Sequence, residues 1–285
     1  MTPLSGRRIE LWVEARGGVA AVNPIMRALL EDLAAAGAIV SVRVPEHEVA
    51  DPSKMLNGKP PSLVLLKTAT TLGLSLAMAD EAHGVKFLNG ARATLEAHDK
   101  AAAMARLAAA GLPVPETFLF DPDPDGMSQP SGLEGAWVNK PTRGVHGRGV
   151  SVHPDPASAL STLANLDSKD SHVVDDGTRL LQRRIGRDSE ADLKVYVADE
   201  RCFAGSKAFT PVSYATDNIE PSALDRPTKE VILSVGEALG LRLFGVDLRF
   251  EDGELVIIDA NPFPGYRGFP GAVVDLRFEI ERALE

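Results

Sequence analysis

GVDLRFEDGELVIIDANP, Gly245 to Pro262, decides the fold. Two apolar runs flank Glu251-Asp252-Gly253, the signature of an antiparallel hairpin, and each run carries oxygen-bearing side chains. Strand alternation turns Asp247, Asp259 and Asn261 toward one face. Two carboxylates and an amide oxygen suit Mg²⁺, which takes few protein ligands and fills its octahedron with water and phosphate oxygens. By themselves the three residues also fit a hairpin whose polar groups only cap turns.

Working outward, the spacing predicts a helix over Thr228–Leu239 stopped by Gly240, and a terminal helix from about Pro270. Upstream, Arg179–Ile185, Leu193–Ala198 and Arg201–Ser206 read as strands, the last two joined by Asp199-Glu200. AWVNKPTRGVHGRGVSV, residues 136–152, reads as strand, glycine-rich turn, strand. Its glycines let backbone N–H groups converge on an anion, although a plain surface hairpin has the same composition. DKAAAMARLAAAG from Asp99 is an alanine-rich helix with a glycine stop. The first part has βαβ rhythm: a strand at Ile9–Val13, a helix capped by Asn23-Pro24, a strand at Ile39–Val44, the buried run SLVLLK at residues 62–67, a helix over Thr70–His83 and a short strand at Lys86–Asn89. The expected organisation is an N-terminal parallel α/β unit over residues 1–95, a unit with the glycine-rich loop over 96–178, and a C-terminal unit with the oxygen donors over 179–285.

Composition narrows the function. Thirty basic against forty acidic residues give a net charge of −10, which argues against a nucleic-acid or anionic-membrane surface and leaves room for a local basic cleft. The single cysteine, Cys202, has no intramolecular partner, so a reducing, cytoplasmic setting is expected. The apolar stretch from Ser62 to Ala79 is interrupted by Lys67 and several threonines and does not read as a membrane span. GxxxxGK[ST], strand-GxGxxG-helix, HExxH and GxSxG patterns are missing.

The order of Asp99-Lys100, GLPVPET (111–117), VNKPTRGVHGRGV (138–150), LLQRRI (180–185), DLKVYV (192–197), GVDLRF (245–250) and IDANPFPGYRG (258–268) resembles the ATP-grasp enzymes, and most closely their RimK-type amino-acid ligases. The resemblance runs from about residue 85 to 275. It implies ATP-grasp α/β and α+β architecture behind a small parallel pre-ATP-grasp domain, with ATP and Mg²⁺, or Mn²⁺ in its place, as cofactors.

The resemblance also implies site residues. Lys100 and Lys140 match the lysines that reach the nucleotide phosphates, with Gly144, His146, Gly147, Arg148 and Gly149 folding over them. Gln182, Arg183, Arg184 and Ile185 match the segment that meets the adenine edge, with Asp188 or Glu190 on the ribose. Asp247, Asp259 and Asn261 match the magnesium ligands, with aspartate in the middle where RimK enzymes usually carry glutamate. Lys194, Lys207 and Arg249 are the catalytic cations, and Tyr266 and Arg267 belong to the acceptor pocket. The implied function is ATP-dependent carboxylate–amine ligation through an acyl phosphate, yielding ADP and phosphate. Its partners are a small carboxylate and an amine, with no nucleic acid or membrane and with a homo-oligomer left open. One departure favours a second reading: residues 208–226 lack the Asn-x-His-Arg-Gly-Gly-like stretch of RimK ligases, and LKVYV with IDANPFPGYRGFPG resembles the ATP-grasp inositol polyphosphate kinases.

Overall fold

In the computed structural model, residues 4–16, 18–53, 60–120, 133–144, 149–163, 178–187, 190–207 and 219–285 are described. The chain begins with β1 (Arg8–Trp12), followed by a small hairpin of β2 (Ala15–Arg16) and β3 (Val19–Ala20) and then α1 (Pro24–Ala35). Asn23 caps that helix by accepting the Met26 N–H at 3.0 Å, with Pro24 at the first helical position. Next come β4 (Ile39–Arg43), β5 (Leu63–Leu66), α2 (Thr71–Ala82) and β6 (Phe87–Leu88). These strands form an all-parallel sheet in the order β4-β1-β5-β6. Every residue of β5 is buried, because α1 covers one face of the sheet and α2 the other.

The sequence reading missed α3 (Ala91–His98); its buried positions, Ala91, Thr94 and Ala97, are too small to make a hydrophobic stripe. The chain continues through α4 (Lys100–Ala109), β7 (Thr117–Phe120), β8 (Trp137–Pro141), β9 (Ser151–His153), α5 (Pro156–Leu163) and β10 (Arg179–Arg183). A second, antiparallel sheet has the order β7-β10-β8-β9. The strand at which the sequence reading opens its C-terminal unit thus hydrogen-bonds between β7 and β8.

The last part contains β11 (Asp192–Ala198), β12 (Arg201–Lys207), β13 (Glu220–Pro221), α6 (Arg226–Leu239), β14 (Leu243–Glu251), β15 (Glu254–Pro262) and α7 (Ala272–Leu284). Its strands form a sheet in the order β13-β12-β11-β14-β15, antiparallel throughout. Asp252 and Gly253, with φ of 51° and 86°, make the two-residue turn between β14 and β15, as the Asp-Gly pair demands. No helix among the described residues is long and apolar enough to cross a membrane.

One core joins the two ends of the chain. Leu276, Ile280 and Leu284 of α7 pack with Leu29 and Leu33 of α1 and with Ile9 and Leu11 of β1. Asn89 fastens the same junction. Its Oδ1 accepts the Arg242 and Leu243 N–H groups at 2.9 Å each, and its Nδ2 donates to the Leu243 carbonyl at 2.7 Å. Removing this clamp leaves buried backbone groups without partners, at about 1–3 kcal/mol for such a group. Asn89→Ala is therefore expected to lower unfolding stability by roughly 3 kcal/mol in urea titrations, against less than about 0.5 kcal/mol for an exposed-surface control such as Glu237→Gln.

Candidate active site

Across the β14–β15 hairpin Asp247 stands directly opposite Asp259, and Gly245 opposite Asn261. Like charges facing each other across strands repel. Each carboxylate is met by an ammonium from another element: Lys194 Nζ lies 2.5 Å from Asp247 Oδ1, and Lys100 Nζ lies 2.8 and 3.0 Å from the two Asp259 oxygens. Asn261 Nδ2 donates to Asp259 Oδ2 at 3.3 Å. Burial pushes the Asp259 carboxyl up, but Lys100 and Lys140 outweigh it and hold the pKa below the ordinary carboxylate value. Burial likewise opposes the charge on Lys194, yet Asp247 prevails and raises that pKa well above the usual lysine value.

Local structure explains these placements. Asp99 caps α4 by accepting the Ala101 and Ala102 N–H groups at 3.1 Å, which sets Lys100 at the first helical position. The Lys100 N–H donates to the Thr142 carbonyl at 2.8 Å, tying the helix start to the end of β8. In β8, Trp137 and Asn139 face inward, while Val138, Lys140 and the buried Pro141 contribute to the cavity wall. Lys140 Nζ donates to Gln182 Oε1 at 2.7 Å and to the Ile258 carbonyl at 3.2 Å. That carbonyl belongs to a β-bulge: Asp247 pairs with Asp259 but Leu248 with Ile257, so Ile258 has no opposite residue. Burial lowers the Lys140 pKa, partly offset by Asp259.

These groups line one cavity of about 1390 Å³. One-ligand sites usually span about 300–1,000 Å³, so this cavity exceeds the usual one-ligand range. Ten lysine and arginine side chains line it against four carboxylates, although the whole chain is acidic. Lys207, at the end of β12, is in the wall, as are Gly144, Arg184, Ile185 and Arg267. Arg183 also lines it but holds Glu251 through two contacts of 2.6 Å. Arg249 is committed to Asp192 Oδ1 at 2.5 Å and to the Ile185 carbonyl at 2.9 Å.

Three sequence-predicted residues are not brought to the cavity. Tyr266 is fully buried, its hydroxyl donating to the Val197 carbonyl at 2.5 Å beneath Tyr196 and Phe203. Glu190 accepts the Arg187 N–H at 2.9 Å outside the cavity wall. Gly149 takes a left-handed φ of 69° beside Pro141 and does not itself line the cavity. His146, Gly147, Arg148 and Asp188 lie outside the described residues.

The sequence reading missed Lys67, His98, Glu14 and Arg16, all in the cavity wall. Lys67 ends the buried run of β5, and ligands of open parallel sheets gather at such carboxyl ends; that position was its only signal. His98 sits beside Lys100 and Lys67, and burial together with those cations pushes its pKa down to about 4.

A family model described as the inositol 1,3,4-trisphosphate 5/6-kinase ATP-grasp domain matches residues 170–278. A protein of Pasteurella multocida (strain Pm70) named probable alpha-L-glutamate ligase is 30% identical over 227 residues, covering 77% of this chain and 69% of that one. The crystal structure of a RimK domain protein ATP-grasp from Sphaerobacter thermophilus DSM 20745 superposes with a TM-score of 0.69 at 21% identity, covering 97% of this chain and 99% of the other. D-alanine–D-alanine ligase from Bacillus anthracis complexed with ATP superposes with a TM-score of 0.71 at 14% identity, covering 98% and 97%. The chain belongs to the ATP-grasp superfamily. Within it, the protein is an ADP-forming ligase of the RimK-like, carboxylate–amine type.

His98 carries a pH signature. An unfolded histidine takes up its proton near pH 6.5, whereas the folded one resists until about pH 4. Between those values the unfolded chain binds more protons, so this residue removes stability as pH falls through that window and is neutral above it. The thermal midpoint of His98→Asn is therefore expected to drop less than that of the wild type from pH 7 to pH 4.5; equal drops would remove the assignment.

Proposed function

We propose that the cavity binds ATP against Lys100 and Lys140, with Mg²⁺ held by Asp247, Asp259 and Asn261, and that the chain activates a carboxylate as an acyl phosphate for an amine. The observation carrying this reading is the convergence of two lysines and three oxygen donors, from α4, β8, β14 and β15, on one cation-rich cavity. Among the described residues no three His, Cys, Asp or Glu side chains cluster as a metal site. Two carboxylates and an amide oxygen, all hard donors, fit a magnesium ion that keeps water and phosphate oxygens as its other ligands. When bound, that ion would neutralise charge on the β- and γ-phosphates.

The chain's own groups supply the rest. In this reading the cleft lies between the unit bearing the glycine-rich loop, whose sheet includes β10, and the unit bearing the hairpin. The Lys100 and Lys140 ammoniums meet the triphosphate as compact charges, and the Gln182–Ile185 segment meets the base. A substrate carboxylate oxygen attacks the γ-phosphorus as the bond to the bridging oxygen breaks and ADP leaves. The amine then adds to the acyl carbon, loses its proton, and phosphate departs. Lys194 and Lys207, both in the cavity wall, would in this reading supply the cation that meets the oxyanion of that tetrahedral intermediate. Positioning and charge carry both steps, so no nucleophilic side chain is needed. The relative named probable alpha-L-glutamate ligase supports an amino-acid substrate.

A second reading, phosphoryl transfer to a polyol hydroxyl, is favoured by the kinase-domain match over residues 170–278. Hydroxylamine separates the two, because only an acyl phosphate yields a hydroxamate. Ligation is expected to give hydroxamate with ADP for at least one carboxylate in a screen; ADP release with a polyol and with no carboxylate would overturn it. Asp259→Ala and Asn261→Ala are each expected to lower Mg-dependent turnover by more than about 100-fold, at roughly 1.4 kcal/mol per decade, with circular dichroism unchanged. Unaltered turnover in either variant would refute the metal assignment.

A further inference from the structure

The sheet of β1, β4, β5 and β6 contributes its own charged wall to the cavity. Lys67 follows β5 at the carboxyl end of the sheet, and its Nζ donates to the Phe263 carbonyl at 2.8 Å and lies 5.5 Å from the Phe263 ring centroid. Lys140 and Gln182 stand in a different sheet. Among the described residues no carboxylate reaches ion-pair distance of Lys67, since Glu14 is engaged by Arg16 at 2.5 Å. Enclosure pushes its pKa down to about 8, opposed by Glu14 and aided by Arg16 and Arg267, so it remains charged at neutral pH. Enclosing an ammonium whose nearest carboxylate stands beyond ion-pair distance is costly, and such charges are ordinarily paired. An anion in the cavity would supply that pairing, because Lys67 lines its wall.

We propose that Lys67, with Arg267 and Arg16 beside it in the cavity wall, forms an anion-binding subsite that grips a charged group on the acceptor other than the group that reacts. This rests on the reading of the cavity as a nucleotide-plus-acceptor cleft. The acceptor is therefore an anion at two positions if it reacts through a carboxylate, or a phosphorylated polyol if it reacts through a hydroxyl. The recognising chemistry is the same for both: an ammonium and two guanidiniums around an oxyanion. Glu14 Oε1 accepts the Arg16 Nε and Nη2 donors at 2.7 and 2.5 Å and so orients that guanidinium.

The test is calorimetric binding with two matched pairs, glutarate against valerate and myo-inositol 1-phosphate against myo-inositol, each titrated with and without Mg·AMPPNP. The charged member of one pair is expected to bind wild type at least about tenfold more tightly, the worth of one charge-assisted contact, and the pair that discriminates identifies the source of the anion. Lys67→Met is expected to abolish that preference with AMPPNP affinity unchanged, and Lys67→Arg to retain most of it. Arg267→Gln, which leaves the strand end intact, is expected to weaken it even if Lys67→Met does not fold. The inference is overturned if neither pair discriminates, if Lys67→Met or Arg267→Gln keeps the wild-type preference, or if Lys67→Met loses AMPPNP and probe together. Absence of AMPPNP binding to wild type would count against the nucleotide reading alone, since the nucleotide-free titrations still report on the subsite.

Discussion

Two aspartates held face to face across a hairpin are the constraint around which the cleft is organised. Strand pairing gives Asp247 and Asp259 no means of moving apart, so their repulsion must be met by cations supplied from elsewhere. Lys194 comes from the neighbouring strand of the same sheet, while Lys100 comes from the start of a helix 159 positions away in sequence. A site that needs charge balance from two other elements assembles only when those elements are correctly packed. The same logic suits nucleotide chemistry: carboxylates and ammoniums already close together present complementary surfaces to a divalent cation and a polyphosphate.

Packing keeps these pieces in register. Because α7 returns to cover the first sheet, the segment that follows Asn261 is anchored at Phe263 and Tyr266 in the core shared with α1. Lys67 reaches the Phe263 carbonyl from the other side of that junction. The N-terminal sheet is thus mechanically continuous with the hairpin that bears the oxygen donors. A contribution of Lys67 to acceptor recognition then requires no element beyond those that already stabilise the fold.

The parts of this architecture readable from sequence are those governed by short-range rules. Asp252-Gly253 announces its turn through positive φ, Asn23-Pro24 announces a helix start, and the alternation of Asp259 and Asn261 puts both on one face. What escapes is set by distant partners. Nothing in LVIIDANP says that Ile258 is bulged with its carbonyl aimed at Lys140. Arg249 reads as a spare cation until Asp192 and the Ile185 carbonyl are seen to hold it, and the Tyr266 hydroxyl reads as available until Val197 takes it. Lys67 looks like a mere interruption of an apolar run, because its meaning depends on which end of a parallel sheet opens onto the cleft.

The most direct measurement is a crystal structure of the protein with AMPPNP and Mn²⁺, read by the anomalous signal of the metal. The account expects one strong peak bonded to oxygens of Asp247, Asp259 and Asn261, with the triphosphate lying between it and the Lys100 and Lys140 ammoniums. A manganese peak remote from those three side chains, or a nucleotide bound outside this cavity, would contradict it.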